Sequence, residues 1–154
     1  MLIERLKKSL CLCVFLLLPV FIFPQTAQRI EGLLASNAIN YGQLAQFVLE
    51  AAEIPGVGSP ELAFQYAQQR NWLPSNATVG QPARLRGLSL LVMQAFEIQG
   101  GIFYSLFGSP HYAYRELVYR NIIVGRSDPG MLVSGDTLLY VVGRVLSLQE
   151  SNIL

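Results

Sequence analysis

Apolar residues recur with one spacing at three places along the chain. Leu44, Phe47, Val48, Ala51 and Ala52 form the first set, and Leu88, Leu91, Val92, Ala95 and Phe96 the second. Leu138, Val141, Val142, Val145 and Leu146 form the third. Each runs i, i+3, i+4, i+7, i+8, the buried stripe of an amphipathic helix. The second set lies 44 residues after the first, and the third 50 residues after the second. The spacing of 50 also aligns the flanks: Ser59-Pro60 meets Ser109-Pro110, Arg70-Asn71 meets Arg120-Asn121, and Gly80 meets Gly130. Three stripes in phase with matched flanks are the mark of an internal repeat.

The repeating unit reads as helix, loop, helix. Ser-Pro opens the first helix of each full unit, because the serine hydroxyl accepts from a free amide and proline suits the first helical position. These helices are expected to end near Arg70-Asn71 and Arg120-Asn121. Loops rich in Pro, Gly, Ser, Asn and Asp follow over residues 74–83 and 125–133. Longer helices then cover residues 86–99 and 136–149, with Ser134 a candidate cap and Gly100-Gly101 the expected stop of the earlier one. Asn40 is the candidate cap of the isolated first stripe, and residues 102–107 form an apolar connector of one helical turn. The expectation is an all-α domain over residues 40–148, with a partial unit at 40–54 and full units at 59–98 and 109–148. A single helix pair cannot bury its stripe, so the three long helices share one core.

The N-terminus carries a different pattern. Arg5, Lys7 and Lys8 precede residues 10–23, fourteen apolar residues interrupted by Pro19. A basic start and an apolar run shorter than the roughly 20 residues of a spanning helix predict a secretory signal. It covers residues 1–27, cleaved after Ala27 or kept as an N-terminal anchor, with residues 28–39 a linker and 149–154 a tail. Cys11 and Cys13 lie inside the run, which excludes a lipoprotein.

Of the 154 residues 52% are hydrophobic and 14% charged, and the formal net charge is +1. Beyond residue 27 the chain keeps eight arginines, nine acids, no lysine and no cysteine, a net charge of −1. That excludes the electrostatic footprint of a nucleic-acid binder and gives no pull toward anionic lipid. The exported part must hold together by apolar packing without disulfides. Its expected place is the periplasm or cell envelope, with membrane contact only through residues 1–27 where these are retained.

Here the residues carry a resemblance. Asn121-Ile122-Ile123-Val124-Gly125, the turn Asp128-Pro129-Gly130, the start at Ser134 and Arg144-Val145-Leu146 together resemble an S-layer homology (SLH) repeat. Residues 63–96, with Asn71-Trp72-Leu73-Pro74 at the first helix end, resemble a second repeat, and residues 40–54 the closing helix of a third. The resemblance implies a helical spindle without enzymatic activity that binds cell-wall polysaccharide or a peptidoglycan-associated polymer. In that family the binding motif is Thr-Arg-Ala-Glu at the start of the long helix. This chain has Asn40-Tyr41-Gly42-Gln43, Arg84-Leu85-Arg86-Gly87 and Ser134-Gly135-Asp136-Thr137 there, none with both the arginine and the glutamate. The expected ligand site is a groove bounded by Tyr41, Arg84, Arg86 and Ser134, where unpaired helix amides also favour anions. The alternative is a scaffold that has lost polymer binding and serves as a structural or protein-interaction subunit of an envelope assembly.

No catalytic constellation, cofactor or metal site is expected. Glu50, Glu53 and Glu97 invite a paired-carboxylate reading, but Glu53 and Glu97 share an Ala-x-Glu-Ile context that points to helix ends. His111 has no visible base or metal partner. Asp128 is one carboxylate where calcium wants six or more oxygens, so its segment reads as a turn. Trp72 and Tyr66 are expected in the core, with sugar stacking as their other use.

Overall fold

The computed structural model describes residues 23–125 and 127–151. The chain divides into two compact units, residues 1–33 and 34–154. The described part of the first unit belongs to helix α1 (Phe23–Leu34). The expected signal or anchor therefore lies outside the described residues except for positions 23–27, and α1 runs through the first half of the expected linker. Positions 152–154 of the expected tail also lie outside them.

The second unit holds α2 (Tyr41–Ala51), α3 (Pro60–Gln69), α4 (Leu85–Ala95), α5 (Ile102–Phe107), α6 (Pro110–Tyr119) and α7 (Gly135–Glu150). Among the described residues there is no strand, only two isolated bridges, so the fold is all-α. Capping explains where helices begin. Ser59 and Ser109 accept from the N–H groups of Leu62 and Tyr112, each with proline in the first turn. Asn40 and Gln43 form a reciprocal capping box at α2, with contacts of 2.8 and 3.1 Å.

Helices α2, α3, α4 and α6 end in one way. Glu53, Asn71, Glu97 and Asn121 take φ values of 57°, 59°, 53° and 55°. The N–H of the next residue then reaches back, Ile54 to Leu49, Trp72 to Ala67, Ile98 to Met93 and Ile122 to Leu117, each at 2.9 Å. A left-handed residue followed by an apolar one satisfies the last carbonyls and folds the chain back over the final turn. This stop ends α4 at Ala95, ahead of the glycines that spacing suggested. Gly100 has another reason to be glycine: the Tyr104 side chain covers the place its Cβ would occupy.

The three stripes meet in the core. Leu44, Val48, Leu88, Leu91, Val92, Leu138, Val141, Val142 and Val145 are buried, while Phe47 is half-buried. Helix α2 contacts both α4 and α7; α3 packs mainly on α2, and α6 mainly on α4. Each short helix thus lies against the long helix before it, reached through a tight stop, rather than the one that follows after a long loop.

Where the long helices begin, three extended segments close a ring. Ile39 N–H donates to the Val133 carbonyl (2.9 Å), Val133 N–H to that of Ala83 (3.0 Å), and Ala83 N–H to that of Ile39 (2.8 Å). The first amide of each long helix joins a second tier: Tyr41 to Gln81 (3.0 Å), Leu85 to Met131 (2.9 Å) and Gly135 to Ser36 (3.0 Å). Ile39, Ala83 and Val133 are each wholly buried, where an unpaired amide would be costly.

Leu91 is fully buried at the middle of α4, so Leu91→Ala should lower the unfolding free energy by about 2–5 kcal/mol. A change below about half a kcal/mol in a urea melt would show that the stripe does not form the core. Replacing Glu97 by glycine should act the other way. It removes the Cβ penalty of a left-handed residue and should raise stability by about 1 kcal/mol, read from the same melts.

Candidate functional site

The helix starts are the expected ligand site, and the structure assembles only part of it. Arg84 is the N-cap residue of α4, and its N–H points to the Tyr41 hydroxyl at 3.4 Å. Its guanidinium Nη1 donates to the Gly130 carbonyl at 2.6 Å. Arg86 is exposed two residues on. Tyr41 and Arg84 are therefore neighbours. Ser134 stands across the ring at the start of α7, where its Oγ caps the Thr137 N–H at 3.2 Å.

Two features depart from the expected groove. Tyr41 is only 3% exposed, because its ring lies over Gly87 at the foot of α4, where a Cβ would come within 2.7 Å of it. It is a packing residue and offers no open face to a sugar. The helix amides are also occupied. Leu85 N–H goes to Met131, Arg86 N–H to Pro129 and Gly87 N–H to Arg84, at 2.9, 3.0 and 2.8 Å. Any anion affinity at the start of α4 therefore rests on the two guanidinium groups, not on backbone amides.

An open cavity of about 360 Å³ adjoins this end, between the foot of α4 and the first turns of α7. Leu85, Val124, Met131, Leu132 and Tyr140 supply apolar wall, and Asp136 and Thr137 supply polar edge. Sequence reasoning passed over Met131 and Leu132 because they sit in a loop between helices. Their signal was two large apolar side chains in a segment otherwise built of Ser, Asp, Pro and Gly. The Asp128-Pro129-Gly130 turn itself is closed by Asp128 Oδ1 accepting from Gly130 N–H at 2.7 Å.

At the other ends of the long helices lies a second cavity, of about 510 Å³. Glu53, Glu97, Tyr66, Trp72 and Gln149 line it. Both glutamates are exposed and both occupy left-handed helix stops, which accounts for their position structurally. Trp72 and Tyr66 are half-buried and meet edge-on at 5.8 Å, with the Arg70 guanidinium 3.6 Å from the Tyr66 ring centre. Among the described residues no group of three or more His, Cys, Asp or Glu side chains could hold a metal ion.

One titrating group is set apart by its surroundings. Tyr104 on α5 accepts from Gln94 Nε2 at 2.7 Å. Burial raises its pKa above the usual 10.0, and the Gln94 hydrogen bond offsets part of the rise. A phenol that keeps its proton more tightly when folded adds stability below its unfolded pKa, and loses it as pH climbs through the folded value. Thermal stability should therefore fall as pH rises above about 10, and Tyr104→Phe should flatten that fall. Parallel curves for the two proteins would remove Tyr104 as the cause. Compared with family models, curated proteins and solved structures, the chain matches none.

Proposed function

We propose that this chain is a non-enzymatic, exported module of the cell envelope, built from SLH-like repeats, that binds an acidic wall polymer at the end where its long helices start. The observation that carries this reading is the ring of backbone hydrogen bonds. Ile39, Ala83 and Val133, and Tyr41, Leu85 and Gly135, stand at the same separations of 44 and 50 residues as the apolar stripes. Three copies of one unit, each handing its first amide to the next, account for that coincidence. The exposed Arg84 and Arg86 lie on one such start, and among the described residues they are the cations there that can meet carboxylates or phosphates of a polymer.

A second reading, a protein-interaction subunit of an envelope assembly, is favoured by the cavity beside the same end. Its wall of Leu85, Met131, Leu132 and Tyr140 suits an apolar side chain of a protein partner better than a sugar.

Cosedimentation of the chain with purified wall sacculi separates the two. A hydrogen bond to a charged group contributes about 1.5–3 kcal/mol. Arg84→Ala combined with Arg86→Ala should weaken wall retention tenfold or more, with the loss greater at low salt. Unchanged retention, with the helical circular dichroism intact, would remove the arginines from the site. No retention even of the wild-type chain would favour the protein-partner reading.

A further inference from the structure

Tyr41 and Gly87 interlock where the start of α2 meets the foot of α4, and the repeat gives this junction a second copy. Leu85 stands 44 residues after Tyr41, and Thr137 stands 50 residues after Gly87. The backbone sets the two junctions alike. Tyr41 N–H donates to the Gln81 carbonyl at 3.0 Å, and Leu85 N–H to that of Met131, 50 residues after Gln81, at 2.9 Å. At the first junction the tyrosine ring fills the space over Gly87 and is buried. At the second the corresponding side chain is a leucine, too small to do the same. The cavity of about 360 Å³ opens there, with Leu85 and Thr137 both in its wall. At the third junction Gly135 and Gln43 hold these places, and Gln43 is taken up by the capping box of α2.

The rim differs along with the filler. Where the first junction has Gln81 and Pro82, the second has Met131 and Leu132. Met131, Leu132 and Tyr140 line the cavity and are 47%, 50% and 49% exposed. Large apolar side chains left half in water around a concavity mark a surface that something covers. The volume falls at the low end of the roughly 300–1,000 Å³ of ligand sites. The polar surroundings narrow the choice. The Tyr41 hydroxyl meets the Arg84 N–H at 3.4 Å, and the counterpart of that amide is the N–H of Ser134, two residues before Asp136. Among the described residues Asp136 is the one charged side chain of the wall. Its carboxylate repels an acidic or phosphorylated group and tolerates a neutral phenol.

We propose that this cavity is a socket for one tyrosine side chain of a protein partner, whose ring lies over Thr137 as the Tyr41 ring lies over Gly87. The proposal rests on the protein-partner reading above and names what the partner inserts. The chain's own first junction is the pattern for the fit: an aromatic ring held between the first residue of one long helix and the third residue of the next. Thr137 carries a Cβ that Gly87 lacks, so the incoming ring sits further out than Tyr41 does. There it meets Met131, Leu132 and the edge of Tyr140, the apolar groups that are otherwise half in water. A ring with a hydroxyl at its tip suits a site that is apolar in its walls and polar at one edge.

The test reads the cavity without needing the partner. Of the methionines, Met131 lines the cavity and Met93 is buried outside it. The full chain, carrying carbon-13 at its methionine methyls, is titrated with 4-methylphenol, the tyrosine side chain as a free molecule. The Met131 methyl should move upfield and saturate while that of Met93 stays in place. 4-Methylphenyl phosphate and 3-methylbutanol should bind about tenfold more weakly or worse. Leu85→Tyr with Thr137→Gly rebuilds the pair of the first junction, so the Met131 methyl should stand upfield from the start and ignore 4-methylphenol. Should that variant fail to fold, Leu132→Asp on the exposed rim should weaken binding by about tenfold and keep the helical circular dichroism. A Met131 signal that 4-methylphenol leaves unmoved, or equal binding of 3-methylbutanol, overturns the tyrosine and leaves the protein-partner reading to the sacculi result. Wall retention that is lost when Leu85→Tyr and Thr137→Gly close the cavity assigns it to polymer and overturns both. A wild-type dimer that the same variant turns into monomer gives the socket to a second copy and overturns a foreign partner.

Discussion

Helix amides without partners are the constraint around which this domain is arranged. Every α-helix starts with N–H groups that its own turns cannot satisfy, and here three long helices begin side by side in a buried place. The ring answers this by having each start borrow a carbonyl from the segment before another helix. Ile39, Val133 and Ala83 serve one another in a cycle, and Tyr41, Leu85 and Gly135 find acceptors just outside it. The side-chain caps Asn40 and Ser134 complete two of the starts. At the third, where Arg84 stands, the Gly87 N–H returns to the Arg84 carbonyl instead. The direction shared by α2, α4 and α7, and the meeting of their stripes, follow from this common origin.

The same arrangement changes what the helix starts can do chemically. Amides spent on carbonyls are not free for an anion, and the Tyr41 ring fills the space above Gly87. Among the described residues that leaves side chains exposed at this end: two arginines, and an apolar cavity whose Asp136 adds a negative edge. The charges there are mixed, so geometry would count for more than net attraction in any binding at this end.

Much of this was legible in the sequence because local rules and burial agreed. Ser59, Ser109 and Asn40 announce helix starts by their own hydrogen-bonding chemistry, and all three perform it. The spacing of Leu88, Leu91 and Val92 announces a buried stripe, and all three are buried. What escaped was decided by tertiary contact. The Ala-x-Glu-Ile context of Glu53 and Glu97 marks helix ends, and both residues end helices. The glycines Gly100-Gly101 nevertheless set the expected end of the second long helix too late, although Ile98 holds the apolar position that a left-handed stop requires. Tyr41 looked like an exposed neighbour of Arg84 until the missing Cβ of Gly87 gave its ring a place to lie. The outward turn of α5, which leaves Ile102, Phe103, Leu106 and Phe107 exposed, was hidden for a similar reason. An apolar hexapeptide reads as core, and only the anchoring of Tyr104 and Ser105 determines which face is left in water.

The cyclic ring also governs the order in which the polypeptide reaches its native state. The amides of Ile39, Leu85 and Arg86 take their acceptors from Val133, Met131 and Pro129, all far along the sequence from their donors. A fragment lacking those carbonyls can cap α2 through Asn40, Val79 and Gln81, but leaves the first amides of α4 without acceptors and the ring open at Ile39. Closure over so long a sequence separation is entropically slow. The domain therefore commits only once residues 129–133 are in place, and until then its apolar stripes are incompletely covered.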